Sequence, residues 1–235
     1  MTSSIPALAT RPAEGSALQA VLLDMDGTLV DSEGFWWDAE VQVFAELGHE
    51  LADEHREVVV GGPMTRSAAY LIGVTGADIT VVELSALLNA AFAERLEQGV
   101  ELMPGARRLL TELAAHAVPT ALVSATHRHI MDRVLCSLGA ENFSVTIAGD
   151  EVERTKPHPE PYLTAARRLG AEPARCVVVE DTETGVTSAE TAGCPVVAVP
   201  TVTTVAPGAG RTFVTSLEEV DLAFLRSLVP VGDPA

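Results

Sequence analysis

Lysine is almost missing from this chain of 235 residues: fourteen of its fifteen basic residues are arginine, and only Lys156 is lysine. Basic residues are few against thirty-three acidic ones, and the net charge of −18 argues against nucleic acid or an anionic membrane as a partner. An anionic small molecule stays compatible, because a metal ion and a few cations reverse the sign locally. No apolar run approaches the roughly 18 residues of a membrane span. Residues 1–16 also lack the basic start and apolar centre of a signal peptide, so a cytoplasmic location is expected. Cysteine is limited to Cys136, Cys176 and Cys194, an odd and isolated set that implies no disulfide and reads as buried free thiols.

What the chain does have is apolar bulk, 47% of residues, enough to bury a core. Residues 1–18 are small, polar and proline-containing and read as a flexible leader. The organising stretch follows, Val21-Leu22-Leu23-Asp24-Met25-Asp26-Gly27-Thr28-Leu29-Val30-Asp31. Apolar residues from Ala20 to Leu23 run without alternation into Asp24, as in a parallel strand covered on both faces, and Gly27 breaks the run. Carboxylates two apart flank one side chain, so Asp24 and Asp26 can face one pocket while Met25 points into the core. In open α/β sheets the strands' carboxyl ends are where ligands bind. An Asp-x-Asp-Gly turn would explain Asp26-Gly27 but not a buried strand aimed at Asp24.

After Asp31 the apolar period becomes helical, with Phe35, Trp36, Ala39, Val43, Phe44 and Leu47 before Gly48. Further helices are expected at 51–60, 63–73 and 80–98, with no strand among them, and Pro104-Gly105 punctuates the return. From there helices and strands alternate: helix 105–116, strand 119–123, helix 128–138, strand 145–147, helix 159–169, strand 176–179, helix 184–192 and strand 195–199. An edge strand at 212–214, a last helix at 218–228 and a tail at 229–235 complete the chain. Alternation of this kind predicts an α/β fold with a parallel sheet and helices on both faces. The expected organisation is a core of residues 19–34 and 102–235, interrupted by an all-helical insertion at 35–101.

Chemistry-bearing residues recur at strand ends. Ser124 follows the second strand with Ala125 and Thr126, where a hydroxyl and backbone N–H groups suit an anionic oxygen, although a helix N-cap explains the serine equally. The lone lysine stands in Lys156-Pro157-His158-Pro159-Glu160-Pro161, and its retention in so arginine-rich a chain suggests a task for a compact point charge. The strand at 176–179 runs into Glu180-Asp181. Capping accounts for Asp181 or Thr182 but not for adjacent acids after a buried strand. Asp24, Asp26 and Asp181 would supply the carboxylate oxygens that Mg²⁺ prefers.

Together these features resemble the four motifs of the haloacid dehalogenase superfamily: the Asp24-x-Asp26-Gly-Thr-Leu-x-Asp stretch, Ser124, Lys156-Pro157 and Glu180-Asp181 with the downstream Gly185. The resemblance implies a Rossmann-like three-layer α/β/α core with an inserted all-α helical cap, as in the β-phosphoglucomutase and phosphoglycolate phosphatase branch. It further implies a Mg²⁺-dependent phosphatase for a small phosphorylated metabolite. In that reading Asp24 is the nucleophile and Asp26 the proton donor and acceptor, Ser124, Ala125 and Lys156 hold the phosphoryl group, and Asp24, Asp26 through its backbone carbonyl, Asp181 and Glu180 beside it or through water hold the metal. Arg66 and Ser67, behind the glycine hinge Gly61-Gly62-Pro63, are candidates for substrate contact from the cap; a solvent-facing helix explains Arg66 as well. One of Trp36 and Trp37 is expected to pack and the other can face the cleft, and His127, Arg128 and His129 are candidates for the entrance. A monomer is expected. In mutases of this branch a cap histidine stands ten residues after the second aspartate; here that residue is Trp36, which weakens a mutase reading. A non-catalytic metabolite-binding protein is the alternative from another class.

Overall fold

The computed structural model describes residues 18–59, 64–96, 99–201 and 204–229. The expected leader other than Leu18, the hinge Gly61-Gly62-Pro63 and the tail beyond Val229 lie outside these residues.

Six strands form one sheet: β1 (Ala20–Leu23), β2 (Thr120–Val123), β3 (Val145–Ile147), β4 (Cys176–Glu180), β5 (Val196–Ala198) and β6 (Arg211–Phe213). Their order is β3-β2-β1-β4-β5-β6, and every pairing is parallel. β1 therefore lies inside the sheet, with Leu23 level with Leu122 on one side and Val179 on the other. That register brings Asp24, Ser124 and Glu180-Asp181 to a common edge. The strands are continuously apolar because alternate residues enter two separate cores. Val21, Leu23, Leu122, Val177 and Val179 pack with α5 (Ala106–Ala115), α6 (Arg128–Leu138) and α9 (Leu222–Ser227). Ala20, Leu22, Ala121, Val123 and Val178 pack on the other face with α7 (Glu160–Leu169) and α8 (Glu183–Thr191). The result is a Rossmann-like three-layer α/β fold.

Between β1 and α5 the chain forms α1 (Glu33–Glu46), α2 (Arg56–Val59), α3 (Met64–Thr75) and α4 (Val81–Leu96). α4 packs on both α1 and α3. Trp36 stacks on Phe92 with centroids 3.8 Å apart and rings 7° from parallel, while Trp37 is buried with the Arg56 guanidinium 6.0 Å from its ring. Both tryptophans thus pack. The exit and return are clipped together: Asp31 N–H donates to Glu101 O and Met103 N–H to Leu29 O, each at 2.9 Å. Gly105, at φ +88°, follows, and a Cβ there would lie 2.5 Å from Glu218 N.

Three expectations need correction. The helix expected at 51–60 is a 3₁₀ turn at Asp53–His55 leading into α2. The helix expected at 218–228 is broken into a 3₁₀ turn at Leu217–Glu219 and α9, because Asp221 caps α9, its Oδ1 accepting from Phe224 N–H at 2.7 Å. Of the cysteines only Cys176 and Cys194 are buried, where burial pushes both thiols up to about 12; Cys136 is exposed on α6. No helix of the described residues is long and apolar enough to cross a membrane.

Candidate active site

β1 delivers Asp24 to the edge of the sheet, buried, with its N–H donating to Val179 O at 3.1 Å. The chain then folds tightly: Leu29 N–H and Val30 N–H both donate to Met25 O, and Met25 fills the core as expected. Gly27 sits at φ +78°, and a Cβ there would lie 2.3 Å from Asp181 Oδ2, so both its backbone angle and its neighbour require glycine.

Lys156 reaches this edge from the loop before α7, through a cis peptide to Pro157. Its Nζ donates to Asp24 Oδ1 at 2.5 Å, Glu180 Oε1 at 2.7 Å and Val123 O at 2.9 Å. An ammonium has three protons, and all three are used. Burial acts to lower the lysine's pKa, but Asp24 and Glu180 outweigh it and hold the ammonium above its ordinary value. Glu180 Oε1 also accepts from the Tyr162 hydroxyl at 2.7 Å, and its Oε2 from Asp181 N–H at 3.1 Å. Gly185 makes room for that carboxylate, since a Cβ there would lie 1.7 Å from Glu180 Oε1.

Asp26 points elsewhere. Its Oδ1 accepts from Ser32 Oγ at 2.7 Å, and its Oδ2 from Ser124 Oγ at 3.0 Å and Thr126 Oγ1 at 2.7 Å. Ser124 Oγ in turn accepts from Thr126 N–H at 2.9 Å. Ala125 is exposed at the tip of this loop, which lies so close to Gly149 that a Cβ there would be 2.0 Å from Ala125 O. The sheet edge therefore presents one carboxylate clamped by an ammonium and a second oriented by three hydroxyls.

Asp181 accepts from Thr28 at 3.2 Å and Thr201 at 3.3 Å. Asp24, Glu180 and Asp181 can each offer one oxygen within 4.8 Å of the others. Burial, with Glu180 and Asp26 adding to it and Lys156 opposing, pushes the Asp24 carboxyl up to about 7. Burial, Asp24 and Glu180 push Asp181 well above the usual carboxylate range. One ammonium does not neutralise this cluster, and its all-oxygen donor set suits a hard divalent cation. Of the expected ligands, the Asp26 side chain lies outside the cluster, on its hydroxyls, and Glu180 Oε1 is already shared by Lys156 and Tyr162.

The structure leaves the expected insertion residues with other partners. Arg66 is exposed on α3, its guanidinium 3.4 Å from Val58 O. Ser67 is buried, and its hydroxyl donates to Val59 O at 2.9 Å, tying α3 to α2. Arg128 is likewise spoken for by Glu151 at 2.7 Å and Asp132 at 3.3 Å, and His127 and His129 pack edge to face. Sequence reasoning gave no role to Ser32, six residues from its partner Asp26, or to Thr126, Tyr162 and Thr201, whose partners are 18 to 100 residues away; the nearest signal was Thr126 beside Ser124.

The model of the family described as haloacid dehalogenase-like hydrolase matches residues 21–199. The chain is 33% identical over 182 residues to the bifunctional riboflavin kinase/FMN phosphatase of Arabidopsis thaliana, covering 77% of this chain and 48% of that protein, about half its length. It is 30% identical over 225 residues to the phosphoglycolate phosphatase of Yersinia pseudotuberculosis, covering 93% of this chain and 95% of that one. The solved structure of CbbY from Rhodobacter sphaeroides in complex with xylulose-(1,5)bisphosphate is similar with a TM-score of 0.78 at 26% identity, over 88% of this chain and 99% of that one. The family match begins in the strand that carries Asp24 and ends beyond the one that carries Asp181, and the chain belongs to the haloacid dehalogenase-like hydrolases.

Proposed function

We propose that this phosphomonoester hydrolase is a Mg²⁺-dependent phosphatase of a small phosphorylated metabolite, a sugar phosphate first and phosphoglycolate next, working through an aspartyl-phosphate on Asp24. The observation that carries the reading is the buried contact of 2.5 Å between Lys156 Nζ and Asp24 Oδ1, two residues from a carboxyl oriented by hydroxyls. Lys156 fixes one oxygen of Asp24 and leaves the other to attack phosphorus in line with the departing oxygen. As the Asp24–phosphorus link forms and the ester bond breaks, Asp26 gives its proton to the leaving alkoxide. It then takes one from the water that hydrolyses the aspartyl-phosphate, so the carboxyl ends the cycle as it began. The Ala125 backbone N–H, with Ser124 and Lys156 once each exchanges one of its present acceptors for substrate, holds the phosphoryl oxygens. When bound, Mg²⁺ would supply charge neutralisation; Asp24, Asp181 and the backbone carbonyl of Asp26 would hold it, with Glu180 beside Asp181 or through water.

Residues 35–101 serve as a helical cap that selects the substrate, with Arg66 as the candidate contact within it. The phosphatase names of two relatives and the sugar bisphosphate in the CbbY structure support the substrate class. We take the enzyme to be a cytoplasmic monomer.

The test is release of inorganic phosphate from a panel of phosphorylated metabolites, with and without Mg²⁺, by wild-type and Asp24→Asn protein. Metal-dependent release by the wild type is expected, reduced at least about a thousandfold in the variant with its circular dichroism unchanged. Activity above about 1 per cent of wild type in that variant removes Asp24 as nucleophile. If no compound releases phosphate, β-glucose 1-phosphate with its bisphosphate tests a mutase instead.

A further inference from the structure

We infer that Tyr162 is a positioning residue for Lys156: its buried hydroxyl locks Glu180 Oε1, and through that oxygen aims the chain's single ammonium at Asp24. Tyr162 is fully buried in α7, six residues beyond the lysine, with prolines at 157, 159 and 161 between them. It acts on the lysine twice. Its ring lies 4.9 Å from Nζ, within cation–π range, and its hydroxyl donates to the Glu180 oxygen that Nζ also reaches.

Why the hydroxyl matters follows from how Glu180 is held. Oε2 has three donors, all at 3.1 Å or longer: the N–H groups of Asp181 and Thr182 and the Thr182 hydroxyl. Oε1 has only Lys156 and Tyr162, both at 2.7 Å. Without the phenol, Oε1 depends on the lysine alone, and a flexible four-carbon side chain is left to choose among buried acids. Asp181 is one of these acids, and Lys156 pulls its carboxyl against the upward push of burial.

The consequence for turnover rests on the phosphatase reading; the geometric claim does not. Tyr162→Phe keeps the ring and removes only the hydroxyl. Because Lys156 is the only lysine, protein made with ¹⁵Nζ-lysine gives a single side-chain ammonium resonance, protected from exchange by burial and three hydrogen bonds. In Tyr162→Phe that resonance should shift and exchange faster. In the phosphate-release assay kcat should fall about tenfold while KM changes less than about twofold. A merely structural tyrosine would lower Tm and leave both readings alone. A resonance unmoved in position and exchange rate overturns the inference, as does a kcat within about twofold of wild type. Wild-type protein in the same assay separates the two ideas: if it releases no phosphate, the phosphatase reading fails, and the resonance alone decides the role of Tyr162.

Discussion

The strand ends and the helical insertion bury polar groups on opposite terms. At the sheet edge Asp24, Asp26, Lys156, Glu180 and Asp181 each have partners, and these come from segments up to 153 residues apart. In the insertion Glu40 is only 5% exposed on α1, and burial alone pushes its carboxyl up to about 8. The insertion is held mainly by packing, with the Trp36–Phe92 stack between α1 and α4, and by neutral hydrogen bonds such as His55 Nδ1 to the Tyr70 hydroxyl at 3.0 Å between the 3₁₀ turn and α3. Val41, Val58, Val74, Val82 and Leu87 of these helices are left exposed. Chemistry that must act at one point fixes its charged groups by named partners, whereas the insertion tolerates a carboxyl raised by burial alone.

The severest break of the sheet edge needs no charged residue to be touched. Gly185→Ala would place a Cβ 1.7 Å from Glu180 Oε1 and 1.9 Å from its Cδ, so the carboxylate must leave. Lys156 then loses one of two acidic partners in a buried site. Phosphate release should fall at least about a hundredfold, with about 2–4 kcal/mol lost in urea denaturation. Near-normal activity would mean that Glu180 has a second place to go, and that the edge is not so tightly determined.

The same contrast decides what was legible in the sequence. An unalternating Ala20–Leu23 followed by Asp24 could be read because burial on two faces and a charge at the end leave a local signature. Lys156 stood out by composition, and the strand pattern around it gave the three-layer fold. Tyr162, Thr126 and Thr201 left no such trace, because each hydroxyl meets its partner only when a segment distant in the chain arrives opposite it. The insertion was readable as helix but not as contacts. Spacing says nothing of the Val59 O that the Ser67 hydroxyl reaches. The break at Val220-Asp221 was missed because an aspartate that caps a helix also looks like a residue within one.

Glu40 gives a pH test of the other half of the comparison. Its folded-state pKa is raised to about 8 from an ordinary 4.5, so the folded state holds the proton that the unfolded state releases. This group's contribution to stability is therefore fully present below about pH 4.5 and is lost as pH rises towards 8, by at most about 1.4 kcal/mol per pH unit. Glu40→Gln stays neutral throughout. The variant should gain on the wild type as pH climbs from 5 to 8, by roughly 3–5 kcal/mol in chemical denaturation, with no further gain above pH 9. A difference that does not vary with pH would mean that the carboxylate is accommodated after all, and the insertion would then treat its charges as the sheet edge does.

The smallest expected effect is the one that bears on substrate choice. Arg66 is exposed, and its single hydrogen bond, at 3.4 Å to Val58 O, is long for a charged donor. A side chain held so weakly costs little to remove: Arg66→Ala should change stability by less than about 0.5 kcal/mol. Because Arg66 is the proposed substrate contact, its loss should raise KM; a kcat/KM within about twofold of wild type for every compound in the phosphate-release panel would remove Arg66 from that role and leave phosphate recognition to the sheet edge alone. The opposite pattern is specific. A KM raised about tenfold or more with kcat unchanged would show binding energy spent equally on ground and transition states, as a distant cation on an anionic substrate provides. That result would carry charge recognition into the insertion, beyond the packing and hydrogen bonds that hold it together.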